Sequence, residues 1–321
     1  MPVSANLDQH TPVLLKEIVG ALSPHDGAVY VDATFGAGGY SKAILNSANC
    51  TVWGIDRDPF AIERSIDLQR SFKGRLAVLK GSFGNMVGLL SKVGIKKIDG
   101  VALDLGVSSM QINNAERGFS FKSDGPLDMR MAQSGITAAE VVNKLSEQEL
   151  SDIIYRYGEE RLSRRIAKAI VKSRSEFPIT RTSQLAGLIR RVVKMPNDGK
   201  DPATRTFQAL RIYVNDELAE LDRGLRAAEI LLRPGGRLCV VSFHSLEDRQ
   251  VKEFFKCSAM GKPHPSRHMP AHSIPKIKPI FKILSKRVIK PKDEEAFKNP
   301  RARSARMRAA ERTLEPPRKL A

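Results

Sequence analysis

Polar residues gather in this chain where apolar runs end, and each such place could hold a ligand or act on one. The clearest is Val29-Tyr30-Val31-Asp32-Ala33-Thr34-Phe35-Gly36-Ala37-Gly38-Gly39-Tyr40-Ser41, followed by a second apolar run, Thr51 to Ile55, that ends in Asp56. Strand, glycine loop, helix and acid-tipped strand in that order form a βαβ nucleotide-binding unit. The glycines let the backbone turn sharply and approach a ligand closely, and the acid accepts hydrogen bonds from ribose hydroxyls. Asp56 lies 56 − 39 = 17 positions beyond Gly39, close to the roughly 20 expected. A glycine loop can also be only a tight turn. For a dinucleotide it should offer a third glycine, where this chain has the bulky Tyr40, and it lacks the Gly-Lys-Ser/Thr ending of a P-loop. A phosphate-free adenosyl ligand fits better.

A further strand, Ile98 to Leu103, delivers Asp104-Leu105-Gly106-Val107-Ser108-Ser109-Met110-Gln111 to the same carboxyl edge. In the functional reading Asp104 and Gln111 contact the cofactor, while Ser108 or Ser109 positions the acceptor substrate. The plain alternative is a strand-end cap with an Asx or Ser turn. Ser242-Phe243-His244-Ser245-Leu246-Glu247-Asp248 ends another strand, yet Ser, His and Asp this close along one turn make no nucleophile relay, and no Gly-x-Ser-x-Gly elbow is present. A hydrolase is therefore disfavoured, and His244 reads as a pocket-wall donor or as a helix cap. Arg205 and Arg211 flank Phe207 near a helix start, which suits phosphate contact beside a stacking surface or simply an amphipathic helix. His264, His268 and His272 recur every four residues, but Pro263, Pro265 and Pro270 interrupt any helix that would align them, so no metal site is expected.

The elements that position these groups alternate in the first hundred residues: strands at 28–33, 51–55, 76–79 and 98–104, helices at 41–47, 59–70 and 83–92. Such alternation predicts a parallel sheet covered by helices. After Gln111 the pattern turns helical. Ser146 and Glu149 form a capping box ahead of Leu150, Ile153, Ile154 and Tyr157, and Leu185, Leu188, Ile189 and Val192 define another helical face after the breaker Pro178. Strand signals return at Leu238 to Phe243. The division expected is a first part of the sheet domain at 1–114, an inserted helical substrate-recognition domain at 115–205, a second part of the sheet domain at 206–285, and a basic tail at 286–321 that is loosely ordered or dependent on RNA contact for its structure.

Charge points to a polyanion. The 321 residues carry 53 Lys and Arg against 35 Asp and Glu, a net +18. From Arg249 onward there are 20 basic and 6 acidic residues, so +14 of the total lies there. The run Asn299 to Arg308 is Arg-rich and Pro-broken rather than amphipathic, which favours nucleic acid over a membrane surface. No segment is apolar over the roughly 18 residues a membrane span needs, and no signal pattern opens the chain, so a soluble cytoplasmic protein is expected. Cys50, Cys239 and Cys257 form no CxxC pair and read as reduced packing residues.

Eight blocks together carry a resemblance: His10 to Glu17, the glycine loop, Asp104 to Ser109, Glu116 to Phe121, Gly125 to Met131, Thr204 to Ile212, Ser242 to Asp248 and Asn299 to Arg308. In this order they closely resemble the bacterial 16S ribosomal RNA (cytosine-N4) methyltransferase family over nearly the whole chain. The resemblance implies an α/β class I (Rossmann-like) methyltransferase sheet with an inserted all-helical domain. It also implies S-adenosyl-L-methionine as donor and, as acceptor, a decoding-centre cytidine of 16S rRNA, within the small ribosomal subunit. The family's cofactor contacts fall on Gly38, Gly39, Tyr40, Asp56, Phe83, Asp104 and Gln111. Tyr40 departs from the His of many members, so its polar contact is expected to be weakened or replaced by ring stacking on the methionine end. Phe83 would cover the adenine.

An exocyclic amine conjugated to its ring attacks poorly until acceptors bind its hydrogens, so Asp104, Ser108 and Ser109 are the residues expected to orient cytosine N4, with no metal. Carbon-5 attack would need a Cys nucleophile, and none sits in a Pro-Cys loop at a strand end. Two other classes stay open from the residues alone: a non-catalytic RNA-binding assembly factor and a nicotinamide oxidoreductase. The oligomeric state, monomer or homodimer, also stays open.

Overall fold

The computed structural model describes residues 12–195, 199, 201–260, 278–285 and 287–318. The chain divides into two compact units, 1–106 with 220–321, and 107–219. The helical unit thus runs past both ends of the 115–205 segment marked out from the sequence.

The first unit is built on seven strands: β1 Val29–Asp32, β2 Thr51–Asp56, β3 Leu76–Lys80, β4 Ile98–Asp104, β5 Leu232–Ser242, β6 Phe281–Ile283 and β7 Arg306–Arg312. They are ordered β3-β2-β1-β4-β5-β7-β6. The first five run parallel, and β7 lies antiparallel between β5 and β6. This is the Rossmann-like α/β sheet that the resemblance implies. Parallel strands covered on both faces read as near-continuous apolar runs, and β4 does so from Val101 to Leu103, all buried, with Ile98 buried ahead of them. One apolar cluster packs Val31, Leu103 and Val240 against Leu225, Ala228 and Phe255; the other packs Tyr30, Ala102 and Val241 against Ile18 and Ile44.

The carboxy-terminal segment corrects the expectation of a loosely ordered basic tail. β7 pairs with β5 over six residues, from Arg237↔Glu311 to Ser242↔Arg306, and Met307, Ala309 and Ala310 are buried. The Arg-Met-Arg-Ala-Ala-Glu-Arg sequence hides this strand. Two of its arginines extend onto one carboxylate, with Arg306 Nη1 3.0 Å from Asp248 Oδ2 and Arg308 Nε 2.7 Å from Asp248 Oδ1. Hydrogen bonds and ion pairs from Arg308 and Arg306 more than offset the burial of Asp248 and hold its carboxyl below the usual range.

The second unit is helical, with helices Ala138–Lys144, Glu147–Gly158, Ser163–Arg174, Thr182–Val192 and Ala203–Asn215 around a core that includes Val141, Leu150, Ile154, Ile166, Ile170, Leu185, Ile189 and Leu210. The capping box at Ser146 forms as expected: Ser146 Oγ accepts from the Glu149 N–H at 3.3 Å and Glu149 Oε2 accepts from the Ser146 N–H at 2.8 Å. The blocks Glu116 to Phe121 and Gly125 to Met131 brace this unit. Arg117 donates to the carbonyls of Arg130 and Met131, and Asn215 accepts from the Met131 N–H and donates to the Met129 carbonyl. Each bond satisfies a loop backbone group that has no ladder partner.

Candidate active site

The carboxyl ends of β1, β2 and β4 each deliver an aspartate to one edge of the sheet: Asp32, Asp56 and Asp104. Asp32 is 1% exposed. Its Oδ2 accepts from the Ser41 hydroxyl at 2.7 Å and the Ser41 N–H at 3.1 Å, tying β1 to the helix Gly39–Ser47. Its Oδ1 is buried with no hydrogen-bond partner among the described residues. Burial pushes this carboxyl up to about 7. Asp104 is its counterpart on the neighbouring strand. Its N–H donates to Thr34 Oγ1 at 2.6 Å, its Oδ1 is likewise buried without a partner, and burial, moderated by Arg301, takes its carboxyl to about 7.

Asp56 has a different setting. Its Oδ2 accepts from the Gly36 N–H at 2.8 Å and its Oδ1 from the Asp58 N–H at 2.8 Å, so it fastens the glycine loop while each oxygen keeps a lone pair for a hydroxyl. The loop tolerates no side chains at its turn. Gly38 has φ +75°, and a Cβ on Gly39 would lie 2.1 Å from Pro12 Cγ. Tyr40 follows, with its ring buried and its hydroxyl donating to the Val13 carbonyl at 2.5 Å. Burial, with Asp104 and Asp32 nearby, raises the phenol well above its usual range. Phe83 opens a short 3-10 turn, Phe83–Asn85, with its ring against Gly224, where a Cβ would come within 2.4 Å of Phe83 Cδ2. Glu220 secures that turn by accepting from the Gly84 N–H at 2.7 Å and from the Ser82 hydroxyl.

At the end of β5, Glu247 Oε2 accepts from the N–H groups of Phe243 and His244, at 2.8 and 3.3 Å. His244 Nδ1 in turn faces the Glu247 N–H at 3.4 Å. His244 is therefore built into the start of the helix Ser245–Met260, and its Nε2, 3.1 Å from Glu247 Oε1, is buried without an aligned hydrogen bond.

The remaining sequence-predicted residues lie in the helical unit. Ser108 caps the helix Ser109–Asn113: its Oγ accepts from the Gln111 N–H at 3.2 Å and its N–H donates to Gln111 Oε1 at 2.9 Å. Ser109 is the first residue of that helix. Arg205 is exposed and donates to the Glu159 carbonyl at 3.2 Å. Arg211 is engaged with Glu217 through Nε and Nη2, at 2.8 and 2.9 Å. The histidines at 264, 268 and 272 lie outside the described residues. Sequence reasoning passed over Asp32, although its signal is present: Val-Tyr-Val-Asp, Trp-Gly-Ile-Asp and Val-Ala-Leu-Asp all end an apolar run in the same acid.

The MraW methylase family matches residues 8–313. The chain belongs to that family. It is 57% identical over 307 residues to the ribosomal RNA small subunit methyltransferase H of Paramagnetospirillum magneticum, covering 96% of both chains. It is 59% identical over 311 residues to the protein of that name from Rhodospirillum centenum, covering 97% of this chain and 94% of the relative. Among solved structures it is similar to an rRNA methylase from Streptococcus thermophilus, at 9% identity and a TM-score of 0.39 over 94% of each chain.

As an MraW methylase with a Rossmann-like sheet, the protein takes its methyl group from S-adenosylmethionine, and the edge fits that molecule. Asp56 offers free lone pairs for ribose hydroxyls, and one buried carboxylate oxygen each on Asp32 and Asp104 has no hydrogen-bond partner among the described residues. The turn glycines leave the loop bare of side chains.

Proposed function

We propose that this protein methylates the exocyclic N4 of a cytidine in the decoding region of 16S rRNA, within the small ribosomal subunit and in the cytoplasm. The observation that carries the reading is Asp104, a strand-end carboxylate with one buried oxygen that has no hydrogen-bond partner among the described residues. S-adenosylmethionine, when bound, supplies an electrophilic methyl group. Asp56 accepts from the ribose, the loop through Gly38 and Gly39 lets the backbone approach, Phe83 and Gln111 complete the cofactor contacts, and Asp104 serves both cofactor and acceptor.

Cytosine N4 shares its lone pair with the ring and becomes nucleophilic when an acceptor holds one of its hydrogens. A carboxyl with a pKa of about 7 is suited to accept that hydrogen bond and then the proton. Ser108 and Ser109, four and five residues beyond Asp104, are assigned to positioning the amine, and Arg205, Arg211 and His244 to the substrate. The base enters unpaired or flipped out of its stack. Carbon-5 attack is disfavoured at each cysteine: Cys239 is buried and its thiol is pushed up to about 12, Cys50 is also buried and raised, and the exposed Cys257 lies within the helix Ser245–Met260 rather than at a strand end. Among the described residues no helix is long and apolar enough to cross a membrane.

The test is transfer of labelled methyl groups to small subunits from cells lacking the modification, followed by nucleoside analysis. N4-methylcytidine is the expected product. Its absence, or label on carbon-5, overturns the assignment.

A further inference from the structure

The helix Ser163–Arg174 has two unlike sides. Ile166, Ala167 and Ile170 are buried in the core of the helical unit. The opposite side carries Arg164, Arg165, Lys168 and Lys172, and Arg161 stands just ahead of the first turn; all five are exposed. Positions 161, 165, 168 and 172 are spaced four, three and four apart, the interval that stacks side chains on one helical face, with Arg164 alongside. From 164 to 172 the stripe covers about 12 Å of helix axis.

Its lack of counter-charge sets it apart. No acidic residue occurs between Arg161 and Ser175, and none of the five cations has an ion-pair or hydrogen-bond partner among the described residues. Several other cations of the same unit are paired with acids: Arg130 lies on Asp128, Arg181 on Asp124, Arg190 on Asp201, Arg211 on Glu217 and Lys144 on Glu140. Like charges along one face repel. A stripe of this kind is compensated when a polyanion neutralises it.

We infer that this face, Arg161, Arg164, Arg165, Lys168 and Lys172, is a docking surface for the phosphodiester backbone of the substrate RNA. The inference rests on the reading of ribosomal RNA as substrate and adds where its backbone is held. Three of the five cations are arginines, whose planar forks match phosphate oxygens. A lipid surface is the poorer partner, because the apolar side that would enter a bilayer is committed to the protein core. Such contacts carry no base information. They anchor the RNA so that a separate pocket can select the nucleotide.

The experiment compares the wild-type chain with a variant carrying Arg161→Gln, Arg164→Gln, Arg165→Gln, Lys168→Gln and Lys172→Gln, and with a charge-preserving variant, Arg161→Lys, Arg164→Lys and Arg165→Lys. Affinity for unmodified small subunits is measured from 50 to 200 mM KCl. The Gln variant should lower the slope of log affinity against log salt by about 3, from about 0.7 per lost phosphate contact, and raise KM for the particle by at least about tenfold. Its kcat, its melting temperature and its calorimetric affinity for S-adenosylhomocysteine should stay unchanged, and the Lys variant should keep most of the slope. Wild-type methyl transfer to the particle tests the substrate reading separately. If the wild type transfers methyl groups and the folded Gln variant shows the same slope and KM, this docking surface is wrong while that reading stands. Charge-dependent binding of the wild type to phosphatidylglycerol vesicles, with particle affinity unmoved by the Gln substitutions, would overturn it in favour of a membrane.

Discussion

The Ser41 hydroxyl donates to Asp32 Oδ2 at 2.7 Å, while Oδ1 of the same carboxylate is buried without a partner among the described residues. One half of the group is held and the other is buried without a partner, so the ionised form is poorly solvated. This governs how the protein responds to pH. Its folded pKa, about 7, is above the unfolded value near 3.8. The unfolded chain therefore releases its proton first. The stabilising contribution is full below about pH 4 and is lost as pH rises through about 7. Asp32→Asn should therefore be more stable than wild type at pH 8, by up to about 4 kcal/mol on the three-unit shift, with the gap closing toward pH 4. Chemical denaturation at several pH values measures it, and a constant gap would contradict the assignment.

Asp104 has a pKa of about 7 as well, and there the consequence is catalytic. Single-turnover methyl transfer should rise about tenfold per pH unit below about 7 and level off above it. Asp104→Asn should lower the plateau by about 100-fold or more while the protein still melts cooperatively. A pH-independent rate in the wild type would remove Asp104 from the proton path.

Asp56 tests the ligand class. Asp56→Ala removes an acceptor for ribose and the anchor of the Gly36 N–H. The affinity for S-adenosylhomocysteine should fall about 10- to 100-fold, the span of one or two charge-assisted hydrogen bonds. In the wild type, a thermal shift with S-adenosylhomocysteine and none with NAD would separate a methylase from a nicotinamide enzyme.

Gly39 tests the loop itself. With Pro12 Cγ only 2.1 Å from the place of a Cβ, Gly39→Ala should destabilise the fold by about 1–3 kcal/mol and weaken cofactor binding. Thermal melting and calorimetry read the two effects, and a neutral substitution would mean that Pro12 yields freely.

The clamp on the last strand is open to the same kind of measurement. Asp248→Ala strips Arg306 and Arg308 of a shared carboxylate, and Arg308 is only 21% exposed. The expected loss is about 1–3 kcal/mol, less than for a wholly buried pair because water screens Arg306. The stability contributed by Asp248 is present above its unfolded pKa, since its folded pKa is depressed, and is lost as pH falls through the folded value.

The sequence by itself determined what short-range chemistry encodes. Apolar runs ending in Asp56 and Asp104, the turn at Gly38 and the box at Ser146 each depend on a few neighbouring residues, and strands β1 to β5 followed from them. The family blocks likewise specified a methylase. What only the tertiary structure decided is which distant groups meet. Arg306 and Arg308 read as part of a free basic tail until Asp248, some sixty residues earlier, was seen to hold them in a strand. That the Tyr40 hydroxyl meets the Val13 carbonyl, 27 residues earlier, is likewise a matter of packing. Arg211 and Lys172 look alike as letters, yet one lies on Glu217 and the other has no partner among the described residues. A charge acquires its role from the counter-charge and the solvent around it, and those are fixed by packing across the chain.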